Sequence, residues 1–267
     1  MSGHSKWHSI KHKKGAADAK RGKLFAVLTR QIEVAARAGG GDPASNATLR
    51  TMIQKARDAS LPVDNIQRAI KRGIGEEEGV QYESINYEGY AAHGVAVYVM
   101  CLSDNRNRTG SEIKNIFNKT GGSFAEPGAV SWQFERKGIV LVPKTSVGED
   151  DLMLLAADAG AEDIGDGDLM LLAADAGAED IGDGGDDWVV TTPATELHAV
   201  RTAIEEGGID VRSSDLTMVP STTIELADES SAKQVLRLID ALEDHDDVEA
   251  VYANFDIPEA VLAKVMG

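Results

Sequence analysis

The sequence predicts an α+β protein: an N-terminal three-helix domain and two α/β domains, the third ferredoxin-like and inserted into the second. Three observations carry this. Apolar residues between Leu24 and Ile70 recur at helical spacing. From Tyr82 the pattern turns strand-like, as in the run Val95–Leu102. The stretch 137–219, counting one copy of an internal repeat, spells strand, helix, strand, strand, helix, strand, which is the ferredoxin-like order. The expected boundaries are 1–79, 80–136 plus 220–267, and 137–219. A chain of 267 residues with 42% apolar content is long and apolar enough for two or three cores.

The elements follow in order. Leu24, Leu28, Ile32 and Ala35 place one apolar stripe on a helix over 24–38, ended by Gly39-Gly40-Gly41. A second helix carries Leu49, Met52, Ile53 and Ala56 and closes at Leu61-Pro62. The third is expected to start with Asp64 as N-cap and Gln67 three residues on, a capping box, with Ile66, Ala69 and Ile70 inward and Gly73 at its end. Strands are expected at 84–90 and 94–102, joined by a turn at Ala91–Gly94. A helix starts at Thr109 or Ser111 and ends at Gly121-Gly122. Two strands are expected at 130–135 and 138–143. Strand 188–192, helix 195–206 and strand 215–219 follow. Strand 222–226, helix 230–242 and strand 248–255 return to the sheet begun at 82.

Residues 151–167, DLMLLAADAGAEDIGDG, are repeated without a change at 168–184. Two units are too few for a solenoid. Each copy encodes a helix ended by Gly160 or its counterpart, then a short extended piece. Both compete for one place in the inserted domain. The surplus copy is expected at its edge, where its Leu and Met face would be exposed or would drive self-association.

Charge divides the chain. The net value is −17, yet residues 1–73 carry +10 and the remainder −27. One end suits a polyanion, and the other is repelled by it. The cationic end begins with an arm, MSGHSKWHSIKHKKGAADAKRGK, bearing Lys6, Lys11, Lys13, Lys14, Lys20, Arg21 and Lys23 against one acid. Such residues neutralise phosphates and release counterions. Trp7 suits stacking on an unpaired base, and His12 lies among the lysines. Arg50, Arg68, Lys71 and Arg72 extend this surface on the outside of the helices. The loop Asp104–Arg108 places Asn105, Arg106 and Arg108 before a helix. It suits an anion or base edge, and equally a self-satisfied turn whose arginines pair with acids.

No apolar run approaches the roughly 20 residues of a membrane span. The arm lacks the apolar core of a secretory signal. The single cysteine, Cys101, rules out an intrachain disulfide and reads as a buried, inert thiol.

Taken together, MSGHSKWHSIKHKKG, LPVDNIQRAIKRG, INYEGYAAHGVAVYVMCLSDNRNRT with the later KTGG, and LIDALEDHDDVEAVYANFDI resemble the YebC/PmpR family over essentially the whole chain except the second copy of the repeat. The resemblance implies a DNA-binding transcriptional regulator, cytoplasmic, with three domains and no cofactor. It also implies an alternative, a translational activator that uses the same arm on ribosomal or messenger RNA. The opening motif at Met1 leads us to expect a bacterial protein. The chain departs from the family at Ala91–Gly94, where many members have a Pro/Gly-rich turn, and at the duplication.

A metal-dependent nuclease is the competing reading, because His4, His8 and His12 share a helical spacing suited to zinc. The surrounding lysines repel a cation and no carboxylate lies nearby to act as base. No catalytic residue and no metal are therefore expected.

Overall fold

A computed structural model describes residues 18–145, 178, 180–183 and 187–266. The arm to residue 17 lies outside the described residues. So do the helix expected in the first copy of the repeat and its counterpart in the second. The described residues form two compact units, one within 136–218 and the other made of 18–135 and 219–266.

The larger unit begins with α1 (Asp18–Gly39), α2 (Ala47–Asp58) and α3 (Val63–Ile74). Leu28, Ile32, Leu49, Ile53, Ile66 and Ile70 pack into one core, on the faces their spacing predicts. Asn46 caps α2 by accepting from the Leu49 N–H at 3.0 Å. Helices α1 and α3 approach closely at Gly73, where a Cβ would lie 2.5 Å from the Glu33 carbonyl oxygen and 2.7 Å from Ala36 Cβ.

The same unit continues with β1 (Glu83–Tyr90), β2 (Ala96–Ser103), α4 (Arg106–Thr120) and β3 (Ser123–Ala125). After the smaller unit it resumes with β8 (Ile224–Glu225), α6 (Glu229–Glu243), β9 (Val248–Ala253), β10 (Phe255–Asp256) and α7 (Glu259–Met266). The sheet order is β3-β1-β2-β9, antiparallel throughout, with Ile85 opposite Cys101 and Val99 opposite Val251. Its apolar face, Val97, Val99 and Cys101, packs on Ile113 and Phe117 of α4 and on Val235, Ile239 and Leu242 of α6. Cys101 is fully buried, as expected.

The smaller unit holds β4 (Phe134–Pro143, entering from the larger one), β5 (Asp180–Asp183), β6 (Asp187–Pro193), α5 (Leu197–Glu206) and β7 (Ser213–Pro220, whose end returns). Its sheet order is β5-β6-β4-β7. Val140, Val142 and Val190 pack against Leu197, Val200 and Ile204. Strand β5 comes from the second copy of the repeat, with Asp180 opposite Thr191 and Ile181 opposite Val190.

Four expectations are corrected. Helix α3 starts at Val63 with Pro62 as its cap, and Asp64 makes no capping bond. The Pro62 carbonyl accepts from Asn65 and Ile66 instead, its φ of −57° already set for a helix start. Helix α4 starts three residues before Thr109, because Asn105 accepts from the Arg108 N–H at 3.1 Å. Residues 131–133 form a single 3₁₀ turn, and β4 then runs unbroken through Gly138. The strand near 224 pairs with β10 in a separate parallel ladder, so only β9 of the late strands joins the central sheet.

Candidate nucleic-acid interface

The site is built around α1 and the loop that follows α6. Helix α1 places Lys23, Arg30 and Arg37 seven residues apart, so they lie on one face. Each donates to backbone carbonyls of another segment. Lys23 Nζ donates to the Glu243 oxygen and, at 2.6 Å, to that of His245. Arg30 donates to the Asp246 oxygen at 2.5 Å. Arg37 donates to the Val80 oxygen at 3.2 Å. The first three acceptors lie at or beyond the end of α6, where helix carbonyls lack intrahelical donors and cations are favoured.

Asp247 closes this loop. It is 7% exposed, and its own carbonyl accepts from the Leu102 N–H at 2.9 Å. Its Oδ2 accepts from Thr109 Oγ1 at 2.6 Å, Arg108 at 2.8 Å and Ser103 Oγ at 3.2 Å. Its Oδ1 lies 3.7 Å from Arg30. Burial pushes the Asp247 carboxyl up, but the Thr109 and Arg108 hydrogen bonds and the Arg108 charge outweigh it and hold the group below the usual carboxylate range.

The cationic residues singled out from the sequence fall into separate sets. Lys6, Trp7, Lys11, His12, Lys13 and Lys14 lie outside the described residues. Lys20 and Arg21 sit on the first turns of α1, and the Arg21 side chain is exposed. Lys23 is half-buried and bound as above. Arg50 donates to the Pro43 carbonyl at 3.3 Å. Arg68 is exposed and bonds Asn65 on its own helix. Lys71 is exposed. Arg72 turns inward to the buried carboxylate of Glu33 at 3.0 Å, which also accepts from Arg37 at 3.2 Å.

In the loop before α4, the two readings divide by residue. Asn105 caps the helix and Arg108 pairs with Asp104 and Asp247, which is the self-satisfied turn. Arg106 has an exposed side chain.

Arg30 and Asp247 belong to this site and are not among the residues singled out from the sequence. The seven-residue spacing of Lys23, Arg30 and Arg37 was the available signal for the first. Asp247 lies over a hundred positions from its partners on α4 and gave none. Trp132 is 75% exposed, with its Nε1 donating to the Ala129 carbonyl at 3.1 Å. The loop that carries it is gripped by Glu88, whose carboxylate accepts from the N–H groups of Gly128, Val130 and Ser131 at 2.8, 2.6 and 2.9 Å.

Glu112, His245 and Asp247 bring ligand atoms within 4.8 Å of one another, close enough to consider a metal. Their bonds argue against one. His245 Nδ1 accepts from the Asp247 N–H at 3.1 Å, which leaves the proton of a neutral ring on Nε2, facing Glu112 at 2.8 Å. Neither nitrogen then offers a lone pair to a cation, and Asp247 is committed to Arg108.

Comparison with known proteins decides the family. A model of the TACO1/YebC N-terminal domain matches residues 5–76, and one of the TACO1/YebC second and third domains matches 82–168 and 165–255. The chain belongs to the TACO1/YebC family. A relative from Rubrobacter xylanophilus is 55% identical over the full length of both chains. One from Thermobifida fusca is 51% identical over 99% of this chain and 100% of its own. Both are named probable transcriptional regulatory proteins. The crystal structure of a conserved hypothetical protein from Aquifex aeolicus is similar to this fold, with a TM-score of 0.79, 44% identity, and coverage of 94% of this chain and 96% of that one. The two later family matches overlap at 165–168, inside the duplication. Among the described residues no helix is long and apolar enough to cross a membrane.

Proposed function

We propose that this chain is a non-enzymatic, cytoplasmic regulator of gene expression that binds DNA through its cationic N-terminal region, with no cofactor. The observation that carries the reading is the charge division, +10 over residues 1–73 against −27 over the rest, in a family whose relatives are named probable transcriptional regulators. The polyanion meets the arm, with Lys6, Trp7, Lys11, His12, Lys13 and Lys14, and continues over Arg21, Arg68, Lys71 and Arg106. We also read 137–219 as a ferredoxin-like domain inserted into a central one, 80–136 plus 220–267. The strand order β5-β6-β4-β7 and the pairing of β9 with β2 support this.

A second reading, a translational activator on ribosomal or messenger RNA, is favoured by one observation. Asn105 and Arg108, the side chains best suited to read base edges, are occupied within the chain. Binding through phosphates positions a protein but carries no sequence code. Co-sedimentation with purified ribosomes, run beside a duplex-DNA titration in the same buffers, separates the two. Tighter, sequence-dependent DNA binding supports the transcriptional role. Ribosome binding that exceeds it supports the translational one. Binding to neither ends both.

A further inference from the structure

Lys23, Arg30 and Arg108 form a second cationic group, distinct from the exposed one because its charges are already engaged. Lys23 and Arg30, two turns apart on α1, hold the carbonyls of Glu243, His245 and Asp246. Arg30 and Arg108, from different elements, flank opposite oxygens of the Asp247 carboxylate at 3.7 and 2.8 Å. An oxyanion between two guanidinium groups is an arrangement a bound phosphate takes, and the loop carbonyls stand where further phosphate oxygens would accept from the same cations. The group borders solvent. The Arg108 side chain is 43% exposed and that of Arg30 15%. Lys23, Arg30 and Asp246 line an open cleft of about 890 Å³, in which the Arg30 guanidinium lies 5.9 Å from the Tyr82 ring centre.

We propose that the loop Glu243–Asp247 is a built-in phosphate surrogate that masks Lys23, Arg30 and Arg108, and that a nucleic-acid phosphodiester competes with it for these cations. The inference rests on the nucleic-acid-binding reading above and adds a regulatory contact to it. The exchange replaces one set of charge-assisted hydrogen bonds by another, so neither state has an overwhelming advantage. A strand held by the arm supplies several phosphates at high local concentration and tips the balance. Binding then loosens α1 from the loop, and the clasp sets a threshold that weakly held polyanions do not cross.

Hydrogen exchange of the full-length protein tests this, with a 20-nucleotide DNA duplex and a 20-nucleotide oligo(U) as separate probes at saturation. Amides in 241–250 should exchange at least ~3-fold faster with the bound probe, while those of the α4 interior stay unchanged. Asp247→Asn, which weakens the surrogate and keeps every cation, should bind the same probe at least ~3-fold more tightly at equal salt. Saturated binding with unchanged or slower exchange in 241–250 overturns the surrogate and leaves the functional reading standing. No binding of either probe by the native chain overturns both. Should Asp247→Asn fail to fold, the exchange of the native protein decides alone.

Discussion

Asp247 Oδ2 accepts a hydrogen bond from the Arg108 guanidinium at 2.8 Å, across 139 positions of sequence. This bond ties the start of α4 to the loop that α1 grips. It also contributes to the acid response of the larger unit. Asp247 is held below the usual carboxylate range, as is Glu88, where burial is outweighed by the N–H groups of Gly128, Val130 and Ser131. A carboxyl whose folded pKa is depressed contributes stability that is fully present above its unfolded value, about 4, and is lost as pH falls through the folded value. The thermal midpoint should therefore be level from pH 7 to 5 and drop below about pH 4. Asp247→Asn should melt lower at pH 7 and change less between pH 5 and 3. An unchanged acid slope in the variant would contradict this role.

Gly73→Ala tests the close approach of α1 and α3. Its Cβ would meet backbone at 2.5 Å, which no side-chain rotation relieves. The helices must separate, at a cost of about 1–3 kcal/mol. Urea unfolding should show a lower midpoint with an unchanged slope. A midpoint equal to the native value would mean that the helices separate without loss.

Burial, with the Asp247 and Glu249 charges, pushes the Cys101 thiol up to about 12. At pH 8 almost no thiolate forms, and the sulfur is inaccessible. A thiol-reactive disulfide should label the native chain at least ~100-fold more slowly than the chain in urea. Rapid native labelling would show that the sheet opens readily.

Deletion of 151–167 should leave a folded protein with unchanged nucleic-acid affinity. The second copy supplies β5 and is untouched. Circular dichroism and a binding titration check this. An unfolded deletion variant would show that the first copy is integral.

The legibility of the fold follows contact range. Leu28, Ile32, Ile66 and Ile70 announced their helices because helix-facing positions are set by local spacing. Thr109 has the chemistry of a helix start, whereas it is buried in the first turn of α4 against Asp247. The true cap, Asn105, competed with Asp104, Thr109 and Ser111, all of which have capping chemistry. The cationic surface was legible as charge but not as geometry. Nothing local distinguishes Lys71, which is exposed, from Arg72, which turns to Glu33 from 39 positions away. The duplication was plain to read. That the second copy forms the edge strand follows from pairing with β6, which both identical copies could make.

Engagement of nucleic-acid phosphates by the cationic N-terminal region has a signature in salt dependence. The most direct test is the salt dependence of binding to duplex DNA and to ribosomal RNA. It compares the native chain with a variant in which Lys6, Lys11, Lys13 and Lys14 are all changed to Gln. Each phosphate contact adds about 0.9 to the logarithmic slope on a duplex and about 0.7 on a single strand. The native chain should show steep salt dependence and the variant a slope lower by roughly 2–4, with the fold intact. Equal slopes for the two proteins, or no binding by either, would contradict it.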